Sequence, residues 1–203
     1  MRPWISCWAS VCALLLFVSE SSAKVIVKEN TVYYSVSGRT GQEIYGQMTR
    51  KGPKIPGHKD HKIAATTMVT DVMKLDGGVK GNQCVVTRAD VSLKVTYRIP
   101  KWTGGKSASA ATQKAWDAFL AHVWRHERRH AEIALEHARQ LERGLLALRG
   151  DVRKDCKDMI AAAERLSKKT VESHHRKQDA FDASWFGDGG KQYRHDRVLQ
   201  AAK

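Results

Sequence analysis

The sequence predicts an α+β fold, with a small, mostly antiparallel sheet in the N-terminal half followed by a long antiparallel helical hairpin. In the first half, short segments are rich in Val, Ile, Thr and Tyr, and one of them alternates strictly between apolar and polar residues, as a half-buried strand does. In the second half, apolar residues recur at helical spacing. The first of the two expected helices carries HERRH at residues 126–130, which is the motif H-E-x-x-H.

The first 23 residues are organised like a secretory signal peptide. Arg2 precedes an apolar core, and SSA places small residues before a cleavage point after Ala23. The segment is too short for a comfortable membrane span, and no later segment is apolar enough to cross a bilayer. We therefore expect an exported protein, periplasmic or secreted after cleavage near Ala23, with no stable membrane span.

The mature chain is expected to form one domain over residues 24–186, followed by a flexible basic tail over residues 187–203 that is poor in apolar residues. The formal net charge is +14. An exported chain without an aromatic-interleaved basic motif is not expected to bind nucleic acid. The charge instead makes anionic envelope components, such as lipid headgroups and cell-wall polymers, conceivable partners.

Cleavage would leave Cys84 and Cys156 as the two cysteines of the mature chain. In an oxidising compartment such a pair usually forms a disulfide, and a loop of this length would stabilise the fold by about 4 kcal/mol in the chain-entropy model. The alternative is two buried free thiols.

Three segments of the first half are expected to be strands: VIVKENTVYYSV, residues 64–73, and VSLKVTYRI, which Pro100 should end. Between the first two, TGQE at residues 40–43 has the spacing of a capping box and opens a short helix. In the second half, one helix should run from near Ser107 or Ser109 to Leu148 and the next from Asp151 to about Trp185. The short link makes them antiparallel neighbours.

The histidines of the motif lie on the apolar face of the first helix. At about 100° per residue, His126 and His130 share a stripe with Phe119 and Leu141, with Glu127 beside it. Burying ionisable groups costs several kcal/mol unless something satisfies them, and a divalent ion does so. We expect one zinc ion on His126 and His130, with Glu127 accepting a proton from a water molecule that the ion activates.

The third ligand is expected from the second helix. If the turn between the helices centres near residues 149 and 150, residues 126–130 lie opposite roughly residues 169–173 of the second helix. His174 is at nearly this position along the helix axis, and it lies on the apolar side that faces the first helix. Asp182 is the rival, because the first helix could end or bend differently. His137 lies too far along its helix to reach the same ion.

Four features are shared with one bacterial family. They are the signal peptide, CVVTRADVSLKVTYRIPKW at residues 84–102, WDAFLAHVWRHERRHAEIA at residues 116–134 and AFDASW at residues 180–185. On these features the chain resembles the secreted family called domain of unknown function 922, described as predicted zinc-dependent proteases. The resemblance covers about residues 30–187 and implies a zincin-like domain over residues 24–186.

Two functions remain open at this level. The first is a zinc metallopeptidase of the H-E-x-x-H type that acts on a peptide or protein substrate lying along a strand edge, with Glu127 as general base. The second is a non-catalytic exported binding module, in which a basic helical face engages an anionic envelope component and any metal is structural.

Overall fold

The computed structural model describes residues 22–54, 64–186 and 191–203. Within these residues the fold is α+β, with a mixed four-stranded sheet and four α-helices. The strands are β1 (Ser22–Val36), β2 (Thr66–Lys80), β3 (Gln83–Trp102) and β4 (Arg149–Asp151), and the helices are α1 (Gly41–Lys51), α2 (Ala110–Leu146), α3 (Lys157–Phe186) and α4 (Lys191–Ala201).

The sheet has the order β1–β3–β2, with β4 also paired to β3. β2 and β4 are antiparallel to β3, but β1 is parallel to it, with Val36 opposite Trp102. The sheet is therefore mixed: two of its three strand pairs are antiparallel, in agreement with the prediction of a mostly antiparallel sheet, and the β1–β3 pair is parallel. A parallel pair needs a long crossover connection, and the chain between β1 and β3, which includes α1 and β2, is long enough to provide it.

The central strand β3 carries the apolar face that the sequence predicted. Val91, Val95 and Ile99 are almost completely buried and pack in the core that β3 shares with α2. Pro100 does not end the strand, which continues to Trp102. Proline is tolerated because β2 pairs with β3 only as far as Arg98, so β1 is the one strand of the described residues that lies beside Pro100.

The predicted helix starts are confirmed for α1 and α2. Thr40 caps α1, and its hydroxyl accepts from Glu43 N while the Glu43 carboxylate accepts from Thr40 N, which is the expected capping box. Ser109 caps α2, and its hydroxyl accepts from Thr112 N at 3.1 Å. α2 then runs for 37 residues and lays its apolar face on the sheet.

The link between α2 and α3 differs from the predicted direct turn. It contains β4 and a 3₁₀ turn over Val152–Lys154, so α3 begins at Lys157 rather than at Asp151. Asp151 caps the 3₁₀ turn, where its side chain accepts from Arg153 N. Along the two helices, contacts occur in reverse chain order, with Gly144 beside Leu166 and His130 beside Gln178.

The predicted disulfide between Cys84 and Cys156 is confirmed, with 72 positions separating the two cysteines. Cys84 is completely buried in β3, and Cys156 immediately precedes α3. The bond therefore fastens the start of α3 to the central strand of the sheet.

The segment predicted to be a flexible tail, residues 187–203, contains a helix in the part that the structure describes, residues 191–203. Residues 191–201 form α4, and Leu199 is completely buried in the part of the core that contains Ile99 of β3 and Phe119 of α2. Gly41 makes this packing possible, because a Cβ at that position would lie 1.6 Å from the Leu199 carbonyl oxygen. The Gly41 N–H donates to the Ala202 carbonyl at 2.8 Å, so the end of the chain is tied to the start of α1.

The proposed signal peptide, residues 1–23, lies almost entirely outside the described residues. Among the helices that the structure describes, none is both long enough and apolar enough to span a membrane.

We predict that removing the disulfide lowers the free energy of unfolding by about 2–5 kcal/mol, because the unfolded chain regains the freedom of a long loop. The double variant Cys84→Ala/Cys156→Ala should be compared with the oxidised wild type by urea denaturation. Alanine avoids burying an unsatisfied hydroxyl at the Cys84 position. Equal unfolding midpoints for the two proteins would contradict the prediction.

Candidate metal centre

Two histidines of α2 point towards α3 from the buried side of the helix. His126 is 6% exposed and His130 is partly buried, one helical turn further along. Since residues four apart lie on the same face of a helix, both imidazoles can approach one point. The structure thus brings together the two histidines that the sequence singled out.

The third group at this point is Asp182 of α3. Its Oδ1 lies 3.2 Å from His126 Nε2 and 3.1 Å from His130 Nε2. The two Nε2 atoms are 3.0 Å apart. Among the described residues, these three side chains form the one group whose ligand atoms all lie close enough together to hold a metal ion.

The spacing of these three atoms fits a single small cation. Zinc, for example, takes nitrogen and oxygen ligands at about 2.0–2.2 Å, which places the ligand atoms of a tetrahedral site about 3.3 Å apart. The observed separations of 3.0–3.2 Å are close to that value. Two imidazoles and one carboxylate can therefore hold a divalent ion without rearrangement of the helices.

Gln178 fixes the orientation of His130. Its Oε1 lies 2.6 Å from His130 Nδ1, and its Nε2 donates to the His130 backbone carbonyl at 3.0 Å. With Oε1 as the acceptor, Nδ1 of His130 must carry the proton, and Nε2 presents its lone pair to His126 and Asp182. A metal-ligating histidine is typically held in this way through its other ring nitrogen.

Aromatic rings shield the group from one side. The Phe181 ring is stacked on His126 with centroids 4.9 Å apart, and it meets the His130 ring edge-on at 5.1 Å. The Trp185 ring lies 5.0 Å from that of His126. Such an apolar shell restricts water and strengthens electrostatic interactions within the group.

The carboxylate of Asp182 is held in its ionised form. Burial acts to raise its pKa, but the contacts with His126 and His130 outweigh burial and hold the pKa well below its usual range. For His130, burial opposes protonation, yet the interactions with Asp182 and Gln178 are stronger and raise its pKa. The ionised carboxylate therefore supplies negative charge beside the two imidazoles, which favours a cation there, either a metal ion or a proton on His130.

Glu127 is 4% exposed and lies on the side of α2 that faces β2. The Thr67 hydroxyl of β2 lies 2.6 Å from Glu127 Oε2 and donates to it. Burial raises the pKa of Glu127, and the Thr67 hydrogen bond and the charges of His126 and His130 oppose that shift. The carboxylate is therefore buried next to the histidine pair without being one of the three clustered ligands.

His174, the predicted third ligand, does not join this group. Its Nε2 lies 2.7 Å from Gln178 Nε2, and its ring is 5.3 Å from that of His137. The prediction placed residues 169–173 opposite the histidine pair, whereas β4 and the 3₁₀ turn lengthen the link and bring residues 178–182 there. Asp182, the rival candidate, occupies the position instead.

Gln178 and the Phe181–Trp185 pair were not identified from the sequence. Gln178 is uncharged, so a search for ionisable ligands overlooks it. Its spacing from Asp182 was the available signal, because residues four apart on α3 lie on the same face of the helix.

A family model described as "Bacterial protein of unknown function (DUF922)" matches residues 31–189. No curated protein and no solved structure gives a match.

We predict that Asp182→Ala abolishes stoichiometric metal binding, because it removes one of the three clustered ligand atoms, whereas His174→Ala retains the metal. Metal content per chain should be measured by elemental analysis of untagged protein. Asp179→Ala is the matched control, since Asp179 is an exposed carboxylate on the same helix. Loss of metal in His174→Ala together with its retention in Asp182→Ala would restore His174 as the ligand.

Proposed function

The chain belongs to the family of bacterial proteins of unknown function 922, and we propose that this member is an exported zinc-dependent peptidase. One observation carries the proposal. The ligand atoms of His126, His130 and Asp182 lie within 3.2 Å of one another, and the buried carboxylate of Glu127 adjoins them.

The donor set favours zinc. Two histidines and one carboxylate form the zinc site in a well-known group of peptidases, where the ion lowers the pKa of a water molecule and polarises the carbonyl to be attacked. The same donors also hold ferrous iron in oxygenases. A buried carboxylate directly beside the ligands favours hydrolysis, because hydrolysis needs a base to take the proton from water.

Glu127 is the group that would serve as this base. Thr67 donates to Oε2 and thereby holds the carboxylate in one orientation, and Oε1 is the second oxygen that can accept a proton. Because Glu127 directly follows His126 in α2, it borders the centre without taking a ligand position. It would then transfer the proton to the amine that leaves when the peptide bond breaks.

The edge of β2 offers a place for an extended peptide. Within the described residues, β2 pairs with β3 alone, so its other edge is available for strand addition. Thr67 belongs to β2 and contacts Glu127, so a peptide lying along this edge would pass close to the base. Helices α2 and α3, as a hairpin, would present the metal centre beside that peptide.

The confirmed disulfide supports an exported location, because disulfides persist mainly in oxidising compartments. The proposed site of action is thus the periplasm or the extracellular medium, after cleavage near Ala23. The competing function is a non-catalytic module that binds an anionic envelope component, and the following experiments separate the two.

We predict that the protein binds one zinc ion per chain when it is purified without an affinity tag, because two imidazoles and a carboxylate already lie at the spacing of a zinc site. His126→Ala and His130→Ala should each lose the metal, measured by elemental analysis and by competition with a chelator. Stoichiometric iron in place of zinc would contradict the peptidase proposal, and zinc retained in both variants would remove the site altogether.

We predict that Glu127→Gln keeps its zinc but loses activity by about 10²-fold or more, because glutamine preserves size and hydrogen bonding but cannot act as a base. Turnover should be measured on a broad peptide library by mass spectrometry. Glu172→Gln, which alters an exposed carboxylate of α3, is the matched control and should behave as wild type. Zinc-loaded wild type that cleaves no peptide, or equal cleavage by Glu127→Gln, would favour the binding module.

A further inference from the structure

A basic cleft opens beside the metal centre, where α2, α3 and α4 meet. It has a volume of about 600 Å³, which is within the usual range for ligand sites. Arg125 and Arg129 of α2 and Arg194 of α4 line it, and Glu132 supplies one opposing charge. We call this the arginine cleft.

The arginine cleft adjoins the metal centre through shared aromatic rings. Phe181 and Trp185 line the cleft, and both rings also contact the His126 ring. The His122 ring, which also lines the cleft, is stacked with the Trp185 ring, at 4.6 Å, and with the His195 ring of α4, at 3.9 Å. A single substrate molecule could therefore occupy the cleft with one group and reach the metal ligands with another.

The positive charge in the cleft is not neutralised by the lining residues. Arg129 is engaged by Glu132 and by Glu136, at 3.0 and 2.9 Å. Arg125 is exposed and makes a weak contact with the His122 ring at 3.5 Å. Among the described residues that line the cleft, Glu132 is the one carboxylate, so the guanidinium groups of Arg125 and Arg194 give it an excess of positive charge.

His195 lies close to both of these arginines. Burial lowers its pKa, and repulsion by Arg125 and Arg194 lowers it further. A cleft lined by charges of one sign focuses the electrostatic potential and attracts the opposite charge.

We propose that the arginine cleft binds a carboxylate of the peptide substrate next to the bond that is cleaved. A guanidinium group offers paired N–H donors that match the two oxygens of a carboxylate, and the aromatic walls suit the apolar part of a neighbouring residue. The carboxylate comes either from the C-terminus of the peptide or from an acidic side chain. The inference rests on the proposed peptidase function.

The test measures binding rather than turnover, so that it does not depend on catalysis. Glu127→Gln protein would be titrated with acetylated alanine tetrapeptides that end in a carboxylate or in an amide, and with an amidated tetrapeptide containing one glutamate. Binding would be followed by NMR through the indole N–H of Trp185 and the side-chain N–H groups of the arginines. NMR detects millimolar affinities, which short peptides require.

The peptides carrying a carboxylate should bind, and the neutral amide should bind at least about tenfold more weakly, as expected for the loss of a charge-assisted hydrogen bond. Introducing Arg125→Gln or Arg194→Gln into the Glu127→Gln protein should remove that preference, whereas introducing Arg139→Gln should leave it unchanged. Arg139 is an exposed arginine of α2 that does not line the cleft. Tighter binding of the peptide with a free C-terminus, or of the amidated peptide with a glutamate, identifies the source of the carboxylate.

Three outcomes would overturn the inference. These are equal affinity for carboxylate and amide peptides, a preference that survives both cleft substitutions, and arginine-dependent binding to phosphatidylglycerol vesicles without binding of any peptide. Carboxylate binding in the cleft together with an inactive zinc-loaded wild type would refute the peptidase while leaving the cleft as an anion site. Cleavage of peptides without any preference for a carboxylate would support the peptidase and refute the carboxylate site in the cleft.

Discussion

The candidate metal centre depends on the position of α3 along α2, because one helix provides two ligand atoms and the other provides the third. One helical turn is about 5.4 Å long, so a slip of one turn would carry the Asp182 carboxylate away from His126 and His130. Three features oppose such a slip. The Cys84–Cys156 bond fastens the start of α3, β4 pairs with β3, and Gly144 lets Leu166 approach α2 closely, since a Cβ there would lie 2.7 Å from Leu166 Cδ2.

The polar groups buried around the centre are supported mainly by uncharged partners. Gln178 holds His130, and Thr67 holds Glu127, without adding a net charge to a region of low dielectric constant. The charged partner, Asp182, is half exposed, which reduces the cost of keeping its carboxylate ionised. The arrangement combines rigid side chains with a modest desolvation penalty, and both properties are needed for a preorganised site.

The sequence predicted correctly those features that depend on residue spacing within a single helix or strand. The alternation in β3, the capping box at Thr40 and the inward face of His126 and His130 all follow from spacing within one element, and each agrees with the structure. The disulfide was predictable because the prediction required only that the mature chain has two cysteines and that it is exported to an oxidising compartment. The third ligand was not, because its choice depends on the length of the link before α3, which is set by the pairing of β4 with a strand more than 60 positions earlier. The parallel pairing of β1 and the burial of Leu199 are likewise long-range outcomes that no local pattern reveals.

The central position of β3 also determines the order in which this chain can fold. Each of the other three strands pairs with β3, and within the described residues no strand pairs with any other. During synthesis β1 emerges first and must wait, with its hydrogen-bonding groups unpaired, until all of β3 is available. Pairing between distant segments is slow because loop closure must precede any gain in contact energy. An unpaired apolar strand is also prone to association with other chains. The time between the appearance of β1 and the completion of β3 is therefore the stage at which the nascent protein is most vulnerable to aggregation.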